Sequence, residues 1–317
     1  MPENVKDYLR DVIGNYMTEL GRKDERVSVV TADLMGTCRI KSFNDEYPER
    51  SFNVGIAEHN MVSFSAGLAH EGLIPYAFSM APFISMRACE QCRTDIAYAN
   101  INVRLMATYA GCSGGISGAT HWSLEDCAIM SSFPNMTVLE VSDSVSAVKL
   151  LDETLIHNGP VYFRSGIVPV QRVYDENDSF VIGGSKECCS GCDGAFLCSG
   201  VVVQHAIEAS ELIFKKTGRR IRVVDMYSIK PIDRNAVTKA VETGNIIVAQ
   251  DHSVIGGLGS MVACSILENK NNSNINFKIL GITDEFSTMA HPDYLYKKYH
   301  IDSMGLCDEM IKMFNKE

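Results

Sequence analysis

Positive charge is the first thing this 317-residue sequence is short of. It carries 29 Lys and Arg against 39 Asp and Glu, a net charge of -10 with His neutral. Phosphate backbones are held by basic faces, so nucleic acid is excluded as the main partner. Long apolar runs are missing as well. No stretch approaches the ~18 residues that a membrane-spanning helix needs, and no membrane partner is expected. The N-terminal stretch MPENVKDYLRDVIG is charged and helically patterned, without the apolar centre of a secretory signal. Internal repeats and low-complexity tracts are also absent, which leaves an ordinary globular chain, 46% apolar and 21% charged. Cysteine, by contrast, is plentiful. The eleven cysteines follow no secreted framework, and without a signal peptide they read as reduced thiols of a cytoplasmic protein.

Length suits two domains, because single cores seldom grow much beyond 150 to 200 residues. Two pairs, Cys89-Glu90-Gln91-Cys92 and Cys189-Ser190-Gly191-Cys192, have the ligand count of a structural zinc site. The first pair sits in a helical pattern beside apolar neighbours. The second lies in a Gly-rich loop about a hundred residues on. Both read as free thiols, which behave as small hydrophobes when buried, and no metal ligand is assigned to this chain.

Residues 1 to about 20 have the spacing of an amphipathic helix, through Tyr8, Val12, Ile13, Tyr16 and Met17. Short Val/Ile-rich runs then alternate with helical stretches. Strands are predicted at Val27–Val30, Ser51–Ile56, Ile74–Phe78, Val103–Tyr109, Met136–Val141 and Val161–Phe163, with helices over 59–71, 83–99, 122–131 and 144–157. Continuous apolar strands alternating with helices imply a parallel sheet covered on both faces, an α/β fold. Ligands in such sheets bind outside the carboxyl ends of the strands, where Asp33, Glu58, Met80 and Gly111 to His121 fall. The pattern breaks over 172–194, which reads as a linker or surface hairpin. A second series follows, with strands at Ala195–Ser199, Ile221–Val224, Ile246–Gln250 and Phe277–Leu280 and helices at 204–216 and 256–268. Gly256-Gly257-Leu258-Gly259 lacks dinucleotide spacing and reads as a close strand-to-helix turn. The division expected is 1–180 and 190–317.

The most informative stretch is Phe52-Asn53-Val54-Gly55-Ile56-Ala57-Glu58-His59-Asn60-Met61, an apolar run ending in a carboxylate at a strand-to-helix junction. Phe83 follows 25 residues on, and Gly118-Ala119-Thr120-His121 later. Together these words resemble the pyrimidine-binding domain of the transketolase family. Residues 190–317, with Asp251-His252 before Gly-Gly-Leu-Gly, resemble that family's C-terminal domain, whose usual role is packing and dimer contacts. The resemblance implies a thiamine-diphosphate enzyme in which the cofactor is the electron sink and the protein orients it. Glu58 then bonds the aminopyrimidine nitrogen and Phe83 stacks on its ring. Met80 packs at the ring edge where relatives carry an aromatic, and Asp33 adds to the cofactor site. His121 contacts the donor's carbonyl or hydroxyl and moves protons. His59 reads as structural.

Substrate positions depart from the family. Relatives have an acid four residues before the active histidine and another histidine twelve before it; this chain has Ser117 and Tyr109. A family arginine falls near Ile167, and the nearby basic residue is Arg164. Arg10 and Thr37 fit the remaining anion-binding arginine and serine. With two positive groups gone, the expected substrate is a non-standard anionic sugar, such as a sulfonated ketose (sulfofructose) or a branched ketose phosphate, its anion held by hydroxyls, backbone N–H groups and one arginine.

The sequence also contains no Gly-Asp-Gly, the family's signature for Mg²⁺ and diphosphate; Cys192-Asp193-Gly194 is its nearest string. The resemblance is therefore to the C-terminal subunit of a split transketolase. The expected partner is an N-terminal subunit carrying the Mg²⁺ ligands, in an α2β2 assembly, with activity only in the pair. The alternatives are the β subunit of a 2-oxo acid dehydrogenase, which uses a different loop around its histidine, and a non-catalytic scaffold, which need not keep Glu58, Phe83 and His121. Deoxyxylulose phosphate synthase shares more of the loop but is normally a single chain.

Overall fold

The computed structural model describes residues 6–268 and 275–315. Its two main sheets follow the alternation read from the sequence. The first has seven strands in the order Ser228–Lys230, Thr137–Glu140, Val161–Arg164, Arg104–Thr108, Ile74–Met80, Val27–Thr31, Ser51–Asn53. The last six run parallel, and Ser228–Lys230 pairs antiparallel with Thr137–Glu140. The central strands are buried along their whole length, which explains why they read as unbroken apolar runs rather than alternating ones. The second sheet has the order Asn276–Ile282, Asn245–Ser253, Gly194–Cys198, Ile221–Asp225, Lys186–Cys189, parallel except for the final strand.

Several expected boundaries move. The opening helix spans Leu9–Lys23, and Lys6–Tyr8 before it is extended and pairs with Pro169–Gln171; residues 1–5 lie outside the described residues. The second strand stops at Asn53, since Gly55 takes a left-handed φ of 76° and turns the chain toward helix Glu58–His70. The helix expected over 83–99 is built largely of wide π-type turns, Phe83–Arg87 and Cys92–Tyr98, a geometry frequent at functional sites. The expected linker at 172–194 is an ordered strap. Asp143 caps helix Ser144–Ile156 through the Ser146 N–H at 2.7 Å. Its other carboxylate oxygen accepts from the Val173 and Tyr174 N–H groups at 2.8 and 2.9 Å. Tyr174, Phe180 and Tyr227 then stack edge to face.

This strap closes over Asp225. One Asp225 oxygen accepts from the Ser142 and Tyr174 hydroxyls at 2.6 and 2.8 Å, and the other has no partner. Burial pushes this carboxyl up to about 7 against the help of those two hydroxyls. Between about pH 4 and 7 the folded chain therefore holds a proton that the unfolded chain has released. The resulting stability is fully present below the unfolded pKa and is lost as pH rises through 7, by up to ~1.4 kcal/mol per pH unit. Buried His205 and His252, held down by desolvation, act in the opposite direction at acid pH. The measurement is therefore a difference. Denaturant unfolding should show Asp225→Asn gaining about 1–3 kcal/mol over the parent between pH 5 and pH 8, and a flat difference would refute a protonated Asp225.

Candidate active site

Glu58 opens helix Glu58–His70 and is 2% exposed. A carboxylate at a helix N-terminus is favoured by the dipole. Burial of this one is compensated by Arg87, whose guanidinium donates to both carboxylate oxygens at 3.1 and 3.0 Å. Arg87 lies four residues after Phe83, one helical turn on, and its guanidinium carbon sits 4.1 Å from the Phe83 ring centroid. The opposite wall comes from the loop after Arg104–Thr108. There the exposed His121 meets the Phe83 ring edge to face, with centroids 5.6 Å apart. The His121 Nδ1 shares a 2.8 Å hydrogen bond with the Thr120 hydroxyl. Glu58, Phe83 and His121, separated widely in sequence, thus converge through Arg87 into one cluster at the carboxyl ends of the first sheet.

The other expected residues are placed as follows. Met80 ends its strand and is 8% exposed. Asp33 is exposed with φ 61°, and its N–H and carboxylate both bond the Asn53 side chain on the neighbouring strand end. Tyr109 also has φ 61° and begins the loop; Ser117, exposed, ends its helical turns, and Thr37 is half buried. Arg10 lines a small cavity with Cys38, Thr108 and Ser165, at the carboxyl ends of Arg104–Thr108 and Val161–Arg164. Both the Arg10 Nε and the Thr108 hydroxyl are buried there without a partner, so this corner offers unspent donors.

Arg164 is corrected. Expected as a substrate contact, it is 1% exposed. Its Nε bonds Asp126 at 2.8 Å, one terminal nitrogen pairs with Glu140, and the other donates to the Asp251 carbonyl at 2.8 Å. Four of its five N–H donors are spent inside the protein, and two buried carboxylates demand this cation. Asp126 also accepts from Tyr162 at 2.8 Å; burial raises its carboxyl, yet Arg164, His252 and the hydrogen bonds leave it below the ordinary value. Asp126, Cys127 and His252 bring ligand atoms within 4.8 Å, but the guanidinium already neutralises Asp126, so the cluster is an ion-pair seam. The two CxxC pairs form no such group among the described residues, and all eleven cysteines are free thiols.

The sequence reading missed how far the second sheet region supports the His121 loop. Asp251, at the end region of strand Asn245–Ser253, accepts the Cys112 N–H at 2.8 Å and the Tyr296 hydroxyl at 3.1 Å. Gly111 packs so tightly here that a Cβ would come within 2.3 Å of the Asp251 carboxylate, and its φ is 62°. Gly115 is held against Ala290 and Pro292 in the same way. Besides the packing and dimer contacts expected of this region, it fixes the entry of the loop carrying Ser117 and His121. Arg87 and Asp251 both had a local signal, a cation one turn after the stacking ring and an acid at a strand end.

Two family models cover the chain: the transketolase pyrimidine-binding domain over residues 8–166 and the transketolase C-terminal domain over 183–306. A 6-deoxy-6-sulfo-D-fructose transketolase subunit of Clostridium sp. (strain MSTE9) is 36% identical over 293 residues, 92% of this chain and 90% of the relative. An apulose-4-phosphate transketolase subunit of Phocaeicola vulgatus is 35% identical over 302 residues, 95% of each. A solved split-gene transketolase, described as an inactive β4 tetramer, superimposes with a TM-score of 0.87 at 33% identity, covering 97% of this chain and 98% of that one.

Proposed function

Because this chain belongs to the transketolase family, we propose that it is the β subunit of a split transketolase, catalysing thiamine-diphosphate-dependent ketol transfer with an N-terminal partner. The observation that carries this reading is the convergence of a buried Glu58, a flat Phe83 face and an exposed His121. The donor set fits the pyrimidine end of the cofactor: one desolvated carboxylate beside one aromatic face. When bound, thiamine diphosphate supplies the carbon that accepts a two-carbon unit from a ketose and delivers it to an aldehyde. Glu58 holds a proton against the ring nitrogen, in a place where water does not compete. Phe83 would stack on the ring, Met80 would pack at its edge from the end of strand Ile74–Met80, and Asp33 would add to the site. His121, with Nδ1 engaged by Thr120, offers Nε2 to a donor oxygen and passes a proton as the sugar bond breaks.

The Mg²⁺ and diphosphate ligands are assigned to the partner, in an α2β2 assembly. Free thiols throughout support a cytoplasmic location. No helix of the described residues is long and apolar enough to cross a membrane. The division 1–180 and 190–317 is retained for the two domains, with one strand of the second crossing into the first sheet.

For the substrate, we infer an anionic ketose outside the ordinary pentose phosphates. Arg10, with its unspent Nε, and Thr37 take the anion, while Tyr109 and Ser117 shape the pocket where relatives use a histidine and an acid. The relatives named for sulfofructose and apulose 4-phosphate support this choice. In the assembled pair, 6-deoxy-6-sulfofructose or apulose 4-phosphate should exceed xylulose 5-phosphate in kcat/KM by about tenfold, roughly 1.4 kcal/mol of discrimination. Best activity on xylulose 5-phosphate would defeat the substrate assignment.

A further inference from the structure

Arg87 makes the same two contacts that the proposed function assigns to an aminopyrimidine. It bonds both oxygens of Glu58, at 3.1 and 3.0 Å, and its guanidinium lies over the Phe83 ring, 4.1 Å from the centroid. A planar, delocalised cation with N–H donors at its edge is a close physical counterpart of a protonated heteroaromatic ring. The guanidinium spans both oxygens of the carboxylate and covers one face of the ring, so a flat group entering on that side meets it first. Glu58 is well shielded, its side chain 3% exposed, and Phe83 is half-buried, whereas the Arg87 side chain is 46% exposed. The arginine is therefore the member free to leave, and its long arm can reach water by rotation without disturbing the backbone.

We propose that Arg87 is a displaceable placeholder for the cofactor's pyrimidine: it keeps Glu58 and Phe83 in binding geometry and must swing out when the ring enters. The inference rests on the proposed thiamine-diphosphate site. It gives Arg87 a positioning role with an energetic consequence. While the arginine is seated the site is not competent, so the apparent affinity is lowered by the fraction of chains with the arginine out. The wide turn Phe83–Arg87, closed by Ala88 N–H to the Phe83 carbonyl at 3.1 Å, is what places the guanidinium back over the ring that precedes it.

The test is calorimetric titration of thiamine diphosphate with Mg²⁺ into the assembled two-subunit protein, with no sugar present. Arg87→Leu, which keeps an apolar arm but no donors, should bind at least threefold more tightly than the parent. Arg87→Gln, which can still bond Glu58 but is no cation over the ring, should fall between them. Because Arg87 is half exposed, both variants should fold, and the unfolding midpoint of each assembly without cofactor verifies this. Equal affinity in all three would overturn the placeholder role. Weaker binding by Arg87→Leu would also overturn it, by making the arginine a ligand of the cofactor. If neither the parent nor the variants bind, the thiamine-diphosphate reading fails and this inference with it. Parent binding with no gain in Arg87→Leu leaves that reading intact and removes the placeholder alone.

Discussion

Glu58→Gln in the assembled enzyme should lower ketol transfer by about 10²–10⁴-fold, the range lost with a positioned acid–base group. The substitution preserves shape, so the 2% exposed site gains no cavity. It removes one charge and with it the ability to hold a proton on the ring nitrogen. Stability should barely move, because the partner lost is the half-exposed Arg87, and pairs of that kind contribute about 0–1 kcal/mol. The contrast between the two readouts is the discriminating feature. Single-turnover and steady-state rates with the best sugar donor, beside denaturant unfolding, measure both. Turnover within about threefold of the parent would remove Glu58 from the mechanism.

Arg164→Met has the reverse signature. It strands Asp126 and Glu140, at 0% and 4% exposure, without their cation. Breaking a buried pair from one side costs about 3–5 kcal/mol, much of it the desolvation of the carboxylates left behind, and that is a large share of the total stability of a typical chain. A triple variant that also carries Asp126→Asn and Glu140→Gln should recover a good part of the loss, since no buried charge then remains unpaired. A substrate-binding arginine would instead raise KM and leave the unfolding midpoint in place. A stability change under about 1 kcal/mol would show that the seam does not depend on this residue.

How much of this could be read beforehand follows from the range of each interaction. The parallel strands were legible because burial on both faces writes itself into local runs such as Val27–Val30. Glu58, Phe83 and His121 were legible as words, although their meeting was not, since it depends on the first sheet bringing strand ends together. Arg164 was misread because its partners, Asp126 and Glu140, lie 38 and 24 residues away, and no local pattern tells a cation locked in a buried pair from one free to bind a ligand. Lys6–Tyr8 was absorbed into a helix because its strand character is conferred by Pro169–Gln171, far along the chain. The strap over 172–194 looked like a linker because its polar composition is real; what orders it is Asp143 and the aromatic cluster, which only the fold brings near.

The small strand Ser228–Lys230 constrains how the polypeptide can be made. It completes the first sheet by pairing with Thr137–Glu140, yet it emerges from the ribosome some ninety residues after that strand. Until then a nascent chain exposes an unpaired, fully buried-type edge, which invites pairing with other chains. The first sheet cannot finish until the second region is part-made, so the first half is expected to be born incomplete, with chaperone dependence concentrated in that interval.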